Sequence, residues 1–181
     1  MFKKKSLFEY ILYSAIILFG ILIDQLTKYL VFANMQIGES IPLIEGFLHI
    51  TYTTNDGAAF GMMDDQRWVF ILASILTILG LLAYLILGNF SCKLNGISVA
   101  MIISGGIGNM IDRFGFGFYV NTNGTGEVID FIDFCGIWDA IFNGADSFVC
   151  VGAVLLVIAF IIDLVKEIKE KDKEKEKGKQ A

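Results

Sequence analysis

Four stretches of this chain stay apolar for about the length of a bilayer, and no other feature constrains its fold as tightly. A helix rises about 1.5 Å per residue, so crossing a ~30 Å hydrocarbon core takes roughly 20 residues. Residues 7–32, 68–87, 94–113 and 146–165 meet that requirement. The 55% hydrophobic content and mean hydropathy of +0.66 agree with membrane burial. The predicted fold class is an all-α integral membrane protein with four transmembrane helices. At 181 residues one domain is expected, a polytopic unit over 1–170 followed by a charged tail over 171–181. Only 18% of residues are charged, which excludes disorder except at the ends. Three cysteines exclude a disulfide scaffold, and a single histidine argues against a His-built metal site. A net charge of -5, with the lysines near the termini, argues against nucleic acid as a partner.

An even number of spans puts both termini on one side. Lys3, Lys4 and Lys5 precede the first span, Lys93 lies in the second connection, and seven lysines from Lys166 to Lys179 follow the last. The positive-inside rule places these segments in the cytoplasm. No small-residue cleavage site follows the first apolar run, so it reads as an uncleaved span rather than a signal peptide. Two longer segments, 33–67 and 114–145, then face outward, and most of the unusual polar residues lie in or beside them. Residues 48–54 alternate weakly, as a strand does. Residues 116–120 and 128–134 flank an Asn/Gly/Thr turn at 121–126 and suggest a hairpin. A small outer β-layer is therefore expected over the helix ends, because open sheet edges are not tolerated in lipid.

Within this frame a handful of polar residues need a reason. Asp24 and Lys28, four apart near the outer end of the first span, share a helix face. They form either an ion pair snorkelling to the interface or part of a site, since intramembrane charge is costly. Asn109, Asp112 and Arg113 fall on one face at the end of the third span, beyond the small pair Ser104 and Gly108, which permits close helix approach. In a strand, Asp130 and Asp133 point to opposite faces, and a carboxylate flanked by Val, Ile and Phe is a candidate for a raised pKa. Asn143 and Asp146 have the spacing of an N-cap and a first-turn acid ahead of the fourth span. The three cysteines show no metal spacing and are expected to fill space, while His49 is expected to be packed or interfacial.

Together these residues resemble the type II, or lipoprotein, signal peptidases. Asp24-Gln25-Leu26-Thr27-Lys28 and Asn55-Asp56-Gly57-Ala58-Ala59-Phe60-Gly61 are similar to the first two family motifs. Gly105-Gly106-Ile107-Gly108-Asn109-Met110-Ile111-Asp112-Arg113 is similar to the third. Val128-Ile129-Asp130-Phe131-Ile132-Asp133-Phe134 and Phe142-Asn143-Gly144-Ala145-Asp146-Ser147 are similar to the last two, and all five occur in family order. The resemblance implies an aspartyl endopeptidase of the cytoplasmic (inner) membrane that cuts a diacylglyceryl-modified prolipoprotein just before its lipidated cysteine. It implies a short surface helix beside the outer β-layer. It also implies Asp130 and Asp146 as the catalytic pair, with Asp24, Lys28, Asn55, Gly57, Asn109, Asp112, Arg113, Asn143 and Ala145 shaping or lining the site. Membrane lipid and a globomycin-like cyclic peptide inhibitor are the other implied partners. Two acids suffice for this chemistry, so no cofactor, metal or nucleophilic serine is expected. The segment 114–127 is longer than usual in the family, which points to an extended outer hairpin. The rival readings are a transporter, whose site tends to sit at mid-membrane, and a non-catalytic assembly factor, which needs no aspartate pair.

Overall fold

The computed structural model describes residues 5–55, 67–88, 90, 92–117 and 126–180. Four helices run α1 Leu7–Asn34, α2 Arg67–Leu87, α3 Lys93–Arg113 and α4 Gly144–Gln180. Ser6 starts α1 through a reciprocal capping box with Glu9: the Ser6 Oγ accepts from the Glu9 N–H and the Glu9 carboxylate accepts from the Ser6 N–H. α1, α3 and α4 are long and apolar enough to cross a membrane, and α2 offers the shorter apolar stretch Ile71–Leu87. No other helix occurs among the described residues, so the expected surface helix is not found there. α4 continues unbroken through 171–180, where Lys and Glu are good helix formers, and at the start of that stretch Lys171 pairs with Glu167 at 2.6 Å across one turn.

The helices pack around α3, which touches the other three. Tyr13, Leu85, Val99, Ala100 and Ile103 form the core at the end where the chain begins. Lys5 caps this end by donating to the Gly88 carbonyl just past α2, and its ammonium lies 4.4 Å from the Phe90 ring centroid. At the opposite end the loops after α1 and α3 form one antiparallel sheet in the order β1 Ser40–Ile44, β2 Leu48–Asn55, β3 Val128–Asp133 and β4 Ile141–Phe142. A second core of Val31, Tyr52, Ile129 and Phe131 fastens the sheet to the end of α1. The strands expected over 48–54 and 128–134 are present, but they pair with each other. The hairpin partner and turn expected over 118–125 lie outside the described residues, and 116–117 are not in a strand.

One irregularity in β2 matters for the site. His49 pairs with Asp133 and Ile50 with Ile132, but Thr53 pairs with Asp130. Thr51 and Tyr52 thus oppose Phe131 alone. Such a bulge exchanges the faces of the strand. His49 and Thr51 lie on the face of Asp133, whereas Thr53 and Asn55 lie on the face of Asp130.

Candidate active site

Close helix packing brings the polar residues together. A Cβ at Gly105 would strike the Ala145 carbonyl oxygen, and one at Gly108 would lie 2.6 Å from Asp24 Oδ2 and 3.3 Å from the Ala145 Cβ. The small residues of the third motif therefore let α3 meet both α1 and the first turn of α4.

In this crevice Asp24 and Lys28 are both 0% exposed. The Lys28 Nζ donates to Asp24 Oδ2 at 2.8 Å, Asp112 Oδ2 at 2.5 Å and Asn109 Oδ1 at 2.9 Å, which uses all three of its donors. Lys28 does not snorkel, because every acceptor that satisfies it is inside. Asp24 Oδ1 accepts the Ala145 N–H at 2.7 Å, so the buried charge also ties α1 to the start of α4. Gln25, which sequence reasoning left out of the site, belongs to the same network: its Nε2 donates to Asp112 Oδ1 at 2.7 Å. A glutamine inside an apolar span was the available signal.

Above this network sit the two aspartates of the outer segment. Asn143 caps α4, as expected from its spacing. Its Oδ1 accepts the Asp146 N–H at 3.0 Å and Asp146 Oδ2 accepts the Asn143 N–H at 3.1 Å. Asn143 Nδ2 also donates to Asp130 Oδ1 at 2.6 Å and to Asn109 Oδ1 at 3.0 Å. Asn109 Nδ2 donates to Asp146 Oδ1 at 2.9 Å, and Asn55 Nδ2 donates to Asp130 Oδ2 at 3.0 Å. The cap residue therefore touches both aspartates. Asp130 is 3% exposed, and its pKa is raised from 3.8 to about 6. Burial is the main cause; the Asp146 charge adds to it, while the Asn55 and Asn143 amides act in the other direction.

The structure thus joins Asp24, Lys28, Asn55, Asn109, Asp112, Asp130, Asn143, Ala145 and Asp146 in one hydrogen-bonded assembly. Arg113 stands half-buried in the last turn of α3. Gly57 lies outside the described residues. Asp133 is not part of the assembly: on the other sheet face it accepts from Thr51 Oγ1 at 2.7 Å. His49 is half-buried on that face, with its Nδ1 3.2 Å from Ser40 Oγ. Cys92 and Cys135 are half-buried, but Cys150 is exposed on α4 and does not fill the interior. Among the described residues no three His, Cys, Asp or Glu side chains group to hold a metal ion, since Lys28 occupies the space between Asp24 and Asp112.

The sequence model of the family described as Signal peptidase (SPase) II matches residues 16–162, which contains every motif residue named above. The chain belongs to the signal peptidase II family. It is therefore a member of a family of membrane proteases. Lipoprotein signal peptidase of Bacillus pumilus is 40% identical over 145 residues, covering 79% of this chain and 88% of that protein. The protein of the same name from Bacillus subtilis is 40% identical over 162 residues, covering 88% of this chain and 99% of its own length. A bacterial membrane enzyme solved by the in meso method at 2.3 Å has a similar fold, with a TM-score of 0.73 and 33% identity. That match covers 91% of this chain and 94% of the solved one. Signal peptidase II membership thus agrees with the motif resemblance and with a mostly helical membrane protein carrying a small antiparallel sheet.

Proposed function

We propose that this protein is an aspartyl endopeptidase that removes the signal peptide from diacylglyceryl-modified prolipoproteins, cutting just before the lipidated cysteine. The observation that carries this reading is Asn143, which hydrogen-bonds both Asp130 and Asp146 and so holds two carboxyl groups as a unit. The names of the relatives supply the prolipoprotein substrate.

Two neighbouring carboxyl groups share a proton, because ionising both is costly. Burial favours Asp130 as the protonated member. Asp146, half-buried at the positive end of α4, is placed to act as the base. Asp146 takes a proton from water as the water oxygen attacks the scissile carbonyl carbon. Asp130 hydrogen-bonds the carbonyl oxygen as negative charge develops there. The C–N bond then breaks, and a proton from the pair passes to the leaving amine. The buried Lys28, Asp24 and Asp112 act below this step, by holding Asn109 and the first turn of α4. Asn55 and Asn109 hold the acids, and Arg113 and Gly57 shape the site around the peptide backbone. No cofactor takes part.

The chain crosses the cytoplasmic membrane four times, α2 included, as one polytopic domain over 1–170 with the helical tail of 171–181 in the cytoplasm. Lys5, Lys93 and the lysines of the α4 extension favour that side, and the sheet with its aspartates lies at the outer face. Membrane lipid is its solvent, and a globomycin-like cyclic peptide is an inhibitor that would occupy the site.

The test is cleavage of a diacylglyceryl precursor in vesicles by wild type, Asp130→Asn and Asp146→Asn, beside an unlipidated precursor. The expected result is cutting of the lipidated precursor alone, by wild type alone. A folded variant of either aspartate that cuts at the wild-type rate would remove the two-aspartate mechanism.

A further inference from the structure

Asp146 stands in the wall of an open, almost wholly apolar pocket of about 270 Å³. Ile132, Phe134 and Phe142 form its sheet side, and Ser147, Cys150 and Val151 complete its helix side. Phe134 is braced edge-on by Phe142 and by Phe47 of the β1–β2 turn, at centroid distances of 6.3 and 6.1 Å. Cys150 lies one helical turn beyond Asp146, on the same face. From there the exposed side chains Val151, Val154, Val157, Ile158 and Ile161 continue along α4. On a helix of membrane-spanning length and composition, such a row faces hydrocarbon. The pocket therefore joins the wall facing the bilayer to a residue of the aspartate pair.

We propose that this pocket is an acyl-chain subsite, which receives one fatty chain of the lipidated cysteine and aligns the adjacent peptide bond with Asp130 and Asp146. The inference rests on the proposed function and deepens it. Two observations favour an acyl chain over a peptide side chain. The pocket is open and continuous with the lipid-facing row, so its occupant can extend beyond it along α4. Its lining also offers almost no polar surface to a peptide backbone. A chain already dissolved in the bilayer gains little from a second apolar environment, so the subsite acts through orientation. Cys150 has no part in the chemistry; its exposed thiol reports whether the pocket is filled.

The experiment uses full-length protein in phosphatidylethanolamine/phosphatidylglycerol vesicles. Cys92→Ser and Cys135→Ser leave Cys150 as the single thiol, and Asp130→Asn keeps the precursor uncut. N-ethylmaleimide alkylation of Cys150 is followed by mass spectrometry. A dipalmitoylglyceryl precursor at about four times its Kd is expected to slow alkylation about fivefold, and the unlipidated peptide is expected to leave it unchanged. No slowing, or equal slowing by the unlipidated peptide, overturns the proposal; the second result would assign the pocket to a side chain. Independently, Cys150→Trp in the active protein fills the pocket. It is expected to lower kcat/KM at least about tenfold for a dipalmitoyl precursor and much less for a dibutyryl one. Equal losses on both substrates, in a variant that melts like wild type, overturn it as well. Failure of the parent reading looks different, because wild type would then cut no lipidated precursor of any chain length.

Discussion

Asp130 makes the stability of the fold depend on pH in a direction opposite to that of an ordinary salt-bridged carboxylate. Its pKa rises from 3.8 to about 6 on folding. Between those values the folded state holds a proton that the unfolded state has released, so stability is full below about pH 4 and falls as pH rises through 6. The whole interval is worth about 3 kcal/mol, of which about 2.5 kcal/mol lies between pH 4 and pH 8. Asp130→Asn cannot ionise and loses this dependence. The variant carries its own pH-independent cost, because the new amide NH₂ must face one of two donors, Asn55 Nδ2 or Asn143 Nδ2, at about 1–3 kcal/mol. Subtraction removes that cost. The stability of the variant relative to wild type should improve by about 2.5 kcal/mol from pH 4 to pH 8, measured by equilibrium SDS unfolding in mixed micelles. In thermal melts the same change is about 5–10 °C. A gap between variant and wild type that is the same at both pH values would refute the reasoning, because it would mean that Asp130 titrates alike in the folded and unfolded chain.

Three further outcomes follow from the same geometry. Lys28→Met leaves Asp24 and Asp112 buried without their cation and should cost about 3–5 kcal/mol in the same unfolding assay. Gly105→Ala forces a methyl group against the Ala145 carbonyl and should destabilise by about 1–3 kcal/mol; because the first turn of α4 must yield, cleavage should fall further than stability explains. In wild type the free-enzyme profile, kcat/KM against pH, should lose activity above about pH 6 as Asp130 gives up its proton. Asn55→Ala removes a donor that favours the charged form, so that limb should move to higher pH; a limb that stays in place would count against Asp130 as the acid.

The helices were legible because apolar runs of bilayer length have few alternatives. The end of the fourth was not, since a Lys/Glu tail reads as solvated whether it frays or continues as helix, and here α4 continues to Gln180. β2 and β3 could be read from alternation and β-branched content. β1 could not: it is exposed along its whole length and contains Pro42, so no buried face imposes a period. The face of Asn55 was also hidden. Strict alternation puts His49, Thr51, Thr53 and Asn55 on one side, and only the bulge at Thr51 and Tyr52 brings Asn55 to Asp130. Local motifs were visible in the candidate site because capping depends on near neighbours, as with Asn143 and Asp146. The bond from Lys28 to Asp112 spans 84 residues, and no local pattern announces such a contact.

The same ammonium also helps to fix the way the amides around the aspartates point. An asparagine can turn its oxygen and nitrogen either way, and only its partners decide. Lys28 can only donate, so it requires Asn109 to present its Oδ1, which leaves Asn109 Nδ2 facing Asp146. The same Asn109 oxygen requires Asn143 to present its Nδ2, which then also reaches Asp130, and Asn143 Oδ1 is left for the Asp146 N–H. Each choice fixes the next. Asp146 consequently meets a donor from Asn109 and Asp130 one from Asn143, in an order supported by one ammonium about two helical turns from the end of α1. An apolar residue at 28 would remove the charge and, with it, one of the groups that select this order, leaving Asn109 Oδ1 with one donor fewer. The membrane makes such a selector costly, since an ammonium in the crevice needs Asp24 and Asp112 beside it. The buried trio is thus the structural condition for holding two acids in one defined relation at the end of the bundle.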